Sequence, residues 1–200
     1  MLLSLKYLIK EYQLRIDGLL HVGAHFGEEA VEYADAGVKR VMWIEGNPEV
    51  MPKLLRNVKP YGHRVVGALL GAAPGISTLH VANNGQSSSV LPFGTHCKAH
   101  PKIKFIGDHT LPMATLDEVV LDEYNFLSLD VQGYELEVLK GGPRTLQSVD
   151  YIYSEVNVDE LYRGCVRLPE LDAFLSDFTR VETKMFNKTA GWGEALYVKD

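Results

Sequence analysis

The chain has 200 residues, 46% of them hydrophobic and 23% charged, with 18 Gly and 9 Pro spread along its length. That composition suits a globular protein with room for a substantial core, and it excludes disordered, collagen-like and small disulfide-stapled classes. With 20 Lys and Arg against 26 Asp and Glu, the net charge of −6 gives no general attraction for a polyanion, so nucleic acid is not an expected partner.

The two cysteines, Cys97 and Cys165, are too far apart for a metal knuckle and too few for a disulfide framework. A reducing, cytoplasmic setting is the expectation. No apolar stretch approaches the roughly 20 residues needed to span a bilayer. Residues 1–200 read as one domain without a linker or internal repeat, and residues 1–16 form its N-terminal helix. There Leu2, Leu5, Leu8, Ile9 and Tyr12 fall at helical spacing, which suits an element lying against a sheet edge.

After the turn at Asp17-Gly18, short apolar runs at 19–22, 41–44, 64–69, 125–129 and 149–154 predict five parallel strands. Helical patterns at 28–36, 49–57, 115–120 and 134–140 separate them, giving βαβ units. Thr115 with Glu118 predicts a capping box, and Gly141-Gly142-Pro143 predicts a helix stop. A last helix at 169–175 is followed by a hairpin of 178–186 and 194–198 around the loop 187–193. Residues 75–82 add a short strand. The stretch 83–109 is rich in Asn, Ser, Gly, Pro and His, and a connection this long predicts an active-site loop.

In an open parallel sheet, ligands bind beyond the carboxyl ends of the strands, so each strand nominates the residues just after it. The first strand nominates Gly23-Ala24-His25-Phe26-Gly27, where Gly23 allows a tight turn and Gly27 lets a helix start close by. The G-x-G-x-x-G spacing that admits a pyrophosphate is missing, which counts against a dinucleotide. The second strand ends at Glu45 with Gly46 and Asn47 beside it, an acid placed to accept the two hydroxyls of a ribose. The fourth delivers Asp130 out of an apolar run, where burial can tune its pKa. The fifth adds Glu155 and Asn157.

Several segments, HVGAHFGEE, WIEGNPE, QSSSVL, the TLDE helix start, LSLDVQGYELEVLKGG, SEVN and the closing GWGEALYV, resemble the FkbM family of class I S-adenosylmethionine-dependent methyltransferases. The resemblance implies an α/β, Rossmann-like three-layer sandwich whose seven-stranded, mostly parallel sheet has an antiparallel last strand. It implies S-adenosylmethionine as cofactor, S-adenosylhomocysteine as product, and O-methylation of a sugar, glycan or related hydroxyl. By the same resemblance, Gly23, Ala24, His25 and Gly27 surround the methionine part, and Glu45 holds the ribose beside Gly46 and Asn47. Ala68 and Leu69 touch the adenine edge, and Asp130 and Val131 lie nearest the methyl group. His21 departs from the family pattern, because many relatives have Asp there.

Methyl transfer to a neutral hydroxyl benefits from a base, and Asp130 ranks first and Glu155 second, ahead of His96 or His100 from the long loop. Ser87 and Ser88, next to Asn84 and Gln86, offer short hydrogen-bond groups, and His96, Asn157 and Trp192 complete the expected acceptor site. No dense acidic cluster is legible in the sequence, so no metal is expected. The partners expected are the acceptor molecule and, at most, a second copy of the chain. Two other readings stay open: a nicotinamide-dependent oxidoreductase, and a non-catalytic glycan- or partner-binding module on the same fold.

Overall fold

The structure, a computed structural model, describes residues 1–187 and 189–200. Ser4 caps α1 (Leu5–Tyr12) by accepting the Tyr7 N–H at 3.2 Å. There follow β1 (Leu19–Val22), α2 (Ala30–Asp35), β2 (Val41–Glu45), α3 (Met51–Val58), β3 (Arg64–Gly67), β4 (Leu69–Leu70) and β5 (Gly75–Ala82). Next come α4 (His96–Ala99), β6 (Phe105–Ala114), α5 (Leu116–Val119), β7 (Phe126–Leu129), α6 (Glu135–Lys140) and α7 (Pro143–Ser148). The chain closes with β8 (Tyr151–Asn157), α8 (Leu168–Phe174), β9 (Phe178–Met185) and β10 (Trp192–Lys199).

Seven strands form the main sheet in the order β3-β2-β1-β7-β8-β10-β9. β10 runs antiparallel to both of its neighbours, and the pairs from β3 through to β8 are parallel. The chain winds outward from β1 to β3, then returns to the other side of β1 with β7. The strand order therefore reverses between β1 and β7, which is where such a sheet opens a ligand crevice.

Alternation along the strands explains the layering. Leu20, Val22, Met42, Ile44, Leu127 and Leu129 join one buried cluster with Leu116, Val138, Leu139 and Leu171 from α5, α6 and α8. Leu19, Val41, Trp43 and Phe126 point the other way, onto Leu5, Leu8, Tyr33, Leu54 and Val58 of α1, α2 and α3. Burying both faces is why these strands read as unbroken apolar runs, and each full burial of a large apolar side chain contributes about 1.5–3 kcal/mol.

Three expectations change. The run 64–69 is split, because Gly67 ends β3 and Leu69–Leu70 crosses into a second sheet of order β4-β6-β5. The loop 83–109 is shorter than expected: Phe105–Ala114 is the central strand of that second sheet, and His96–Ala99 is a helical turn. Gly107 and Pro112 mask this strand in the sequence, since both are unfavourable inside one. Gly141-Gly142 does stop α6, but Pro143 starts α7, the first-turn use of proline that needs no N–H. The capping box is formed, with Thr115 Oγ1 accepting the Glu118 N–H at 3.2 Å and Glu118 Oε2 accepting the Thr115 N–H at 2.9 Å. No helix among the described residues is long and apolar enough to cross a membrane.

Candidate active site

The loop after β1 is shaped by contact with the end of β7. Asp130 N–H donates to the Val22 carbonyl at 3.0 Å, and Gly23 N–H donates to Ile44 at 3.0 Å. Gly23 has φ +83°, and a Cβ added there would stand 1.6 Å from the Asp130 carbonyl oxygen. Only glycine fits. His25 takes the left-handed region at φ +43°, and its N–H donates to Glu45 Oε2 at 2.7 Å. Gly27 plays a different part from the one expected. A Cβ there would meet Val58 and Leu54 of α3 at 2.8 and 2.9 Å, so it lets the loop pack on that helix and lines neither cavity of the site.

At the end of β2 the Glu45 carboxylate is pinned by backbone, with Oε1 accepting the Asn47 N–H at 2.6 Å. Burial pushes its pKa up, and the N–H groups of Asn47 and His25 pull it back. Each oxygen keeps a further lone pair for a ligand hydroxyl. Gly46 is needed for closeness, since a Cβ would lie 2.9 Å from Leu69 Cδ1. Gly23, His25, Glu45, Gly46, Asn47, Ala68, Leu69, Ser88, Asp130 and Val131 thus line one narrow cavity, with the apolar Val50, Leu70 and Leu79 on its walls.

A second cavity of about 450 Å³ opens beside the first, and both share Gly23, His25, Gln86, Asp130 and Gln132. Ala24, Ser87, His96, Glu155 and Trp192 line it. Its volume falls within the range of small-ligand sites. Asn157 is not brought there. It is completely buried, paired in register with Trp192, and both of its side-chain polar atoms lack protein partners. His21 lines this cavity yet is only 5% exposed, bonded through Nδ1 to the Tyr33 hydroxyl at 2.8 Å and stacked on Trp43. Burial lowers its pKa, which makes it a neutral, satisfied ring.

Where the cavities meet, an acidic cluster appears that the sequence hid. One oxygen from each of Asp130, Glu135 and Glu155 lies within 4.8 Å of the others. Gln132 stands among them in the left-handed region at φ +56°; its Nε2 donates to Asp130 Oδ1 at 2.7 Å and to Glu155 Oε2 at 2.8 Å. Tyr162 donates its hydroxyl to Gln132 Oε1 at 2.6 Å, and Ser89 donates to the Gln132 carbonyl at 2.8 Å. Glu135 Oε1 accepts the N–H groups of Val131 and Gly133 at 3.1 and 3.0 Å, fixing the loop that carries Gln132.

Burial raises all three carboxyls, Asp130 to about 6, Glu135 to about 7 and Glu155 well above its usual value. Protein surrounds Asp130, yet water reaches it through the open cavity, so its shift is smaller when the cavity is wet and grows as a ligand displaces that water. Sequence reasoning nominated Asp130 and Glu155 but missed Gln132 and Glu135. Gly133 is the one sequence signal of left-handed backbone there, and nothing in the sequence marks Gln132 itself for it.

Two ring nitrogens in the site, His25 Nε2 and His96 Nδ1, are buried without a protein partner. Polar atoms left so are placed for a ligand or for ordered water.

The chain is similar to several known methyltransferases. Hexuronic acid methyltransferase AglP of Haloferax volcanii is 29% identical over 145 residues, which is 70% of this chain but 56% of that protein. The 2-O-methyltransferase NoeI of Sinorhizobium fredii is 24% identical over 176 residues, 82% of this chain and 72% of that one. The chain therefore spans a little over half the length of the first of these relatives. Among solved structures, the N-methyltransferase NodS of Bradyrhizobium japonicum with S-adenosyl-L-homocysteine has TM-score 0.57 at 10% identity, covering 97% of this chain and 83% of that one. The magnesium protoporphyrin IX methyltransferase ChlM of Synechocystis with bound S-adenosylmethionine has TM-score 0.54 at 11% identity, covering 97% and 75%. These two share the fold. The family model described as "Methyltransferase FkbM domain" matches residues 21–185, and the chain belongs to that family.

Proposed function

We propose that the chain transfers the methyl group of S-adenosylmethionine to a hydroxyl of a sugar or glycan. The observation that carries this reading is the meeting of two cavities at Asp130: one lined by a pinned carboxylate and glycines, the other polar and aromatic. The residues fit the cofactor. Gly23 and Gly46 let the backbone that lines the narrow cavity pack closely, Glu45 keeps free lone pairs, and His25 Nε2 lacks a protein partner. The acceptor class is supported by AglP and NoeI, whose names place them among sugar-directed and O-directed methyltransferases.

Bound S-adenosylmethionine supplies an electrophilic methyl group. Glu45 would hold the ribose hydroxyls, and Leu69, Leu79 and Val131 would flank the base. Asp130, ionised above about pH 6, takes the proton of the attacking hydroxyl; alignment of that oxygen supplies much of the acceleration. Glu155, held more strongly protonated, serves as the second member of the pair. Gln132 spans both carboxyls and fixes their direction. The proposal includes a cytoplasmic setting, supported by the free thiols of Cys97 and Cys165.

Calorimetry with S-adenosylhomocysteine and with NAD separates this reading from its rivals, followed by mass spectrometry of free and glycan-linked sugars incubated with labelled methyl donor. Binding of the first ligand alone and a labelled sugar are expected. Tight NAD binding would point to an oxidoreductase, and cofactor binding with no product from any acceptor would point to a binding module.

A further inference from the structure

The charge of the wider cavity bears on which acceptors it admits. Glu28, Glu29, Asp130 and Glu194 line it as carboxylates beside the protonated Glu155, and among the described residues no Lys or Arg does. The Met1 ammonium is the one fixed cation among those described lining residues, 3.4 Å from Glu29 Oε1 and 4.0 Å from Glu194 Oε1. Two of the lining histidines add no charge: His21 is kept neutral by burial, and His96 is pushed down to about 4 by burial and by His100. Glu194 is nine-tenths covered or nearly so, at 13% side-chain exposure, and accepts from the Tyr153 hydroxyl and the Leu2 N–H.

One wall is aromatic. Phe186 and Trp192 stack with centroids 4.7 Å apart and planes 11° from parallel, and both line the cavity. Such a face accepts the apolar side of a pyranose ring and attracts a cation over it. Carboxylates on one side and an aromatic face on the other form a setting for an ammonium group. An incoming carboxylate, by contrast, would lose water and meet an excess of like charge, since the one ammonium there is already shared by Glu29 and Glu194, a device that selects by repulsion.

Building on the transferase reading above, we propose that this cavity takes sugars that are neutral or carry an ammonium group, prefers the latter, and rejects uronic acids. The proposal distinguishes this chain from its hexuronic acid-directed relative. Glu29 and Glu194, the two carboxylates varied in the test, line the wider cavity and not the narrow one.

The test uses the full chain saturated with S-adenosylhomocysteine and three matched probes: methyl glucoside, methyl glucosaminide and methyl glucuronide, with affinities read by ligand-observed NMR at low and high salt. The glucosaminide is expected to bind about tenfold or more tightly than the glucuronide, with the glucoside between them. The gap should narrow in high salt and in Glu29→Gln or Glu194→Gln. Should Glu194→Gln fail to fold, the salt dependence of the wild type and the Glu29→Gln variant carry the comparison. Equal or tighter binding of the glucuronide overturns the proposal, as does binding of none of the three sugars to cofactor-loaded protein. Failure to bind S-adenosylhomocysteine at the outset overturns the transferase reading itself.

Discussion

Gly23 and Asp130 meet backbone to backbone with no room for a side chain between them: the Asp130 carbonyl oxygen stands 1.6 Å from where a Gly23 Cβ would be. The loop that begins β1's turn and the strand end that carries the base are therefore fixed against each other by backbone. Gly23→Ala forces them apart and places alanine at φ +83°, which costs on the order of 1–3 kcal/mol in backbone strain before the clash is relieved. We expect S-adenosylhomocysteine affinity to fall at least about tenfold, equivalent to about 1.4 kcal/mol, measured by calorimetry on protein whose fold is checked by circular dichroism. Unchanged affinity would remove Gly23 from the cofactor site.

Glu45 offers a graded test. Glu45→Gln keeps one acceptor for the N–H groups of His25 and Asn47, whereas Glu45→Ala leaves both without one. An orphaned buried donor costs about 1–3 kcal/mol. The Gln variant orphans one of the two donors and the Ala variant both, so cofactor affinity and thermal stability should each fall in the order wild type, Gln, Ala. Equal affinity in all three would show that the carboxylate serves the loop alone.

How far the sequence foretold this site depends on what each residue touches. Gly23, Glu45, Asp130 and Glu155 were legible because each follows a parallel strand, and strand ends converge by construction. Gln132 and Glu135 were not, since their roles arise from a left-handed turn that aims one side chain back at its own strand and across to β8. Asn157 was nominated by position, yet pairing of β8 with β10 buries it away from both cavities. β6 escaped for a similar reason: Pro112 sits opposite Ile76 in a sheet built by contacts remote in sequence.

Asp130, raised to about 6, predicts an activity profile. As the base it must be ionised, so kcat, which reports the ligand-filled site, should climb with pH up to about 6 and then level. Asp130→Asn should lower kcat about a hundredfold, remove that limb, and leave cofactor binding within a few-fold. The measurement is a pH series from 5 to about 9 with the best acceptor of the sugar panel. A limb that persists in Asp130→Asn would transfer the role to Glu155.

The same burial makes Glu135 a stability switch. Its folded pKa is about 7 against an ordinary 4.5, so the folded state holds this proton more tightly than the unfolded chain does. The contribution is fully present below about pH 4.5 and is lost as pH rises through about 7. Glu135→Gln keeps an oxygen for the Val131 and Gly133 N–H groups but cannot ionise beside Asp130 and Glu155. Relative to wild type, the variant should therefore gain stability steadily from pH 5 to about 8, read as the difference in urea midpoints at each pH. A difference that stays flat across that window would mean Glu135 is already ionised in the folded protein.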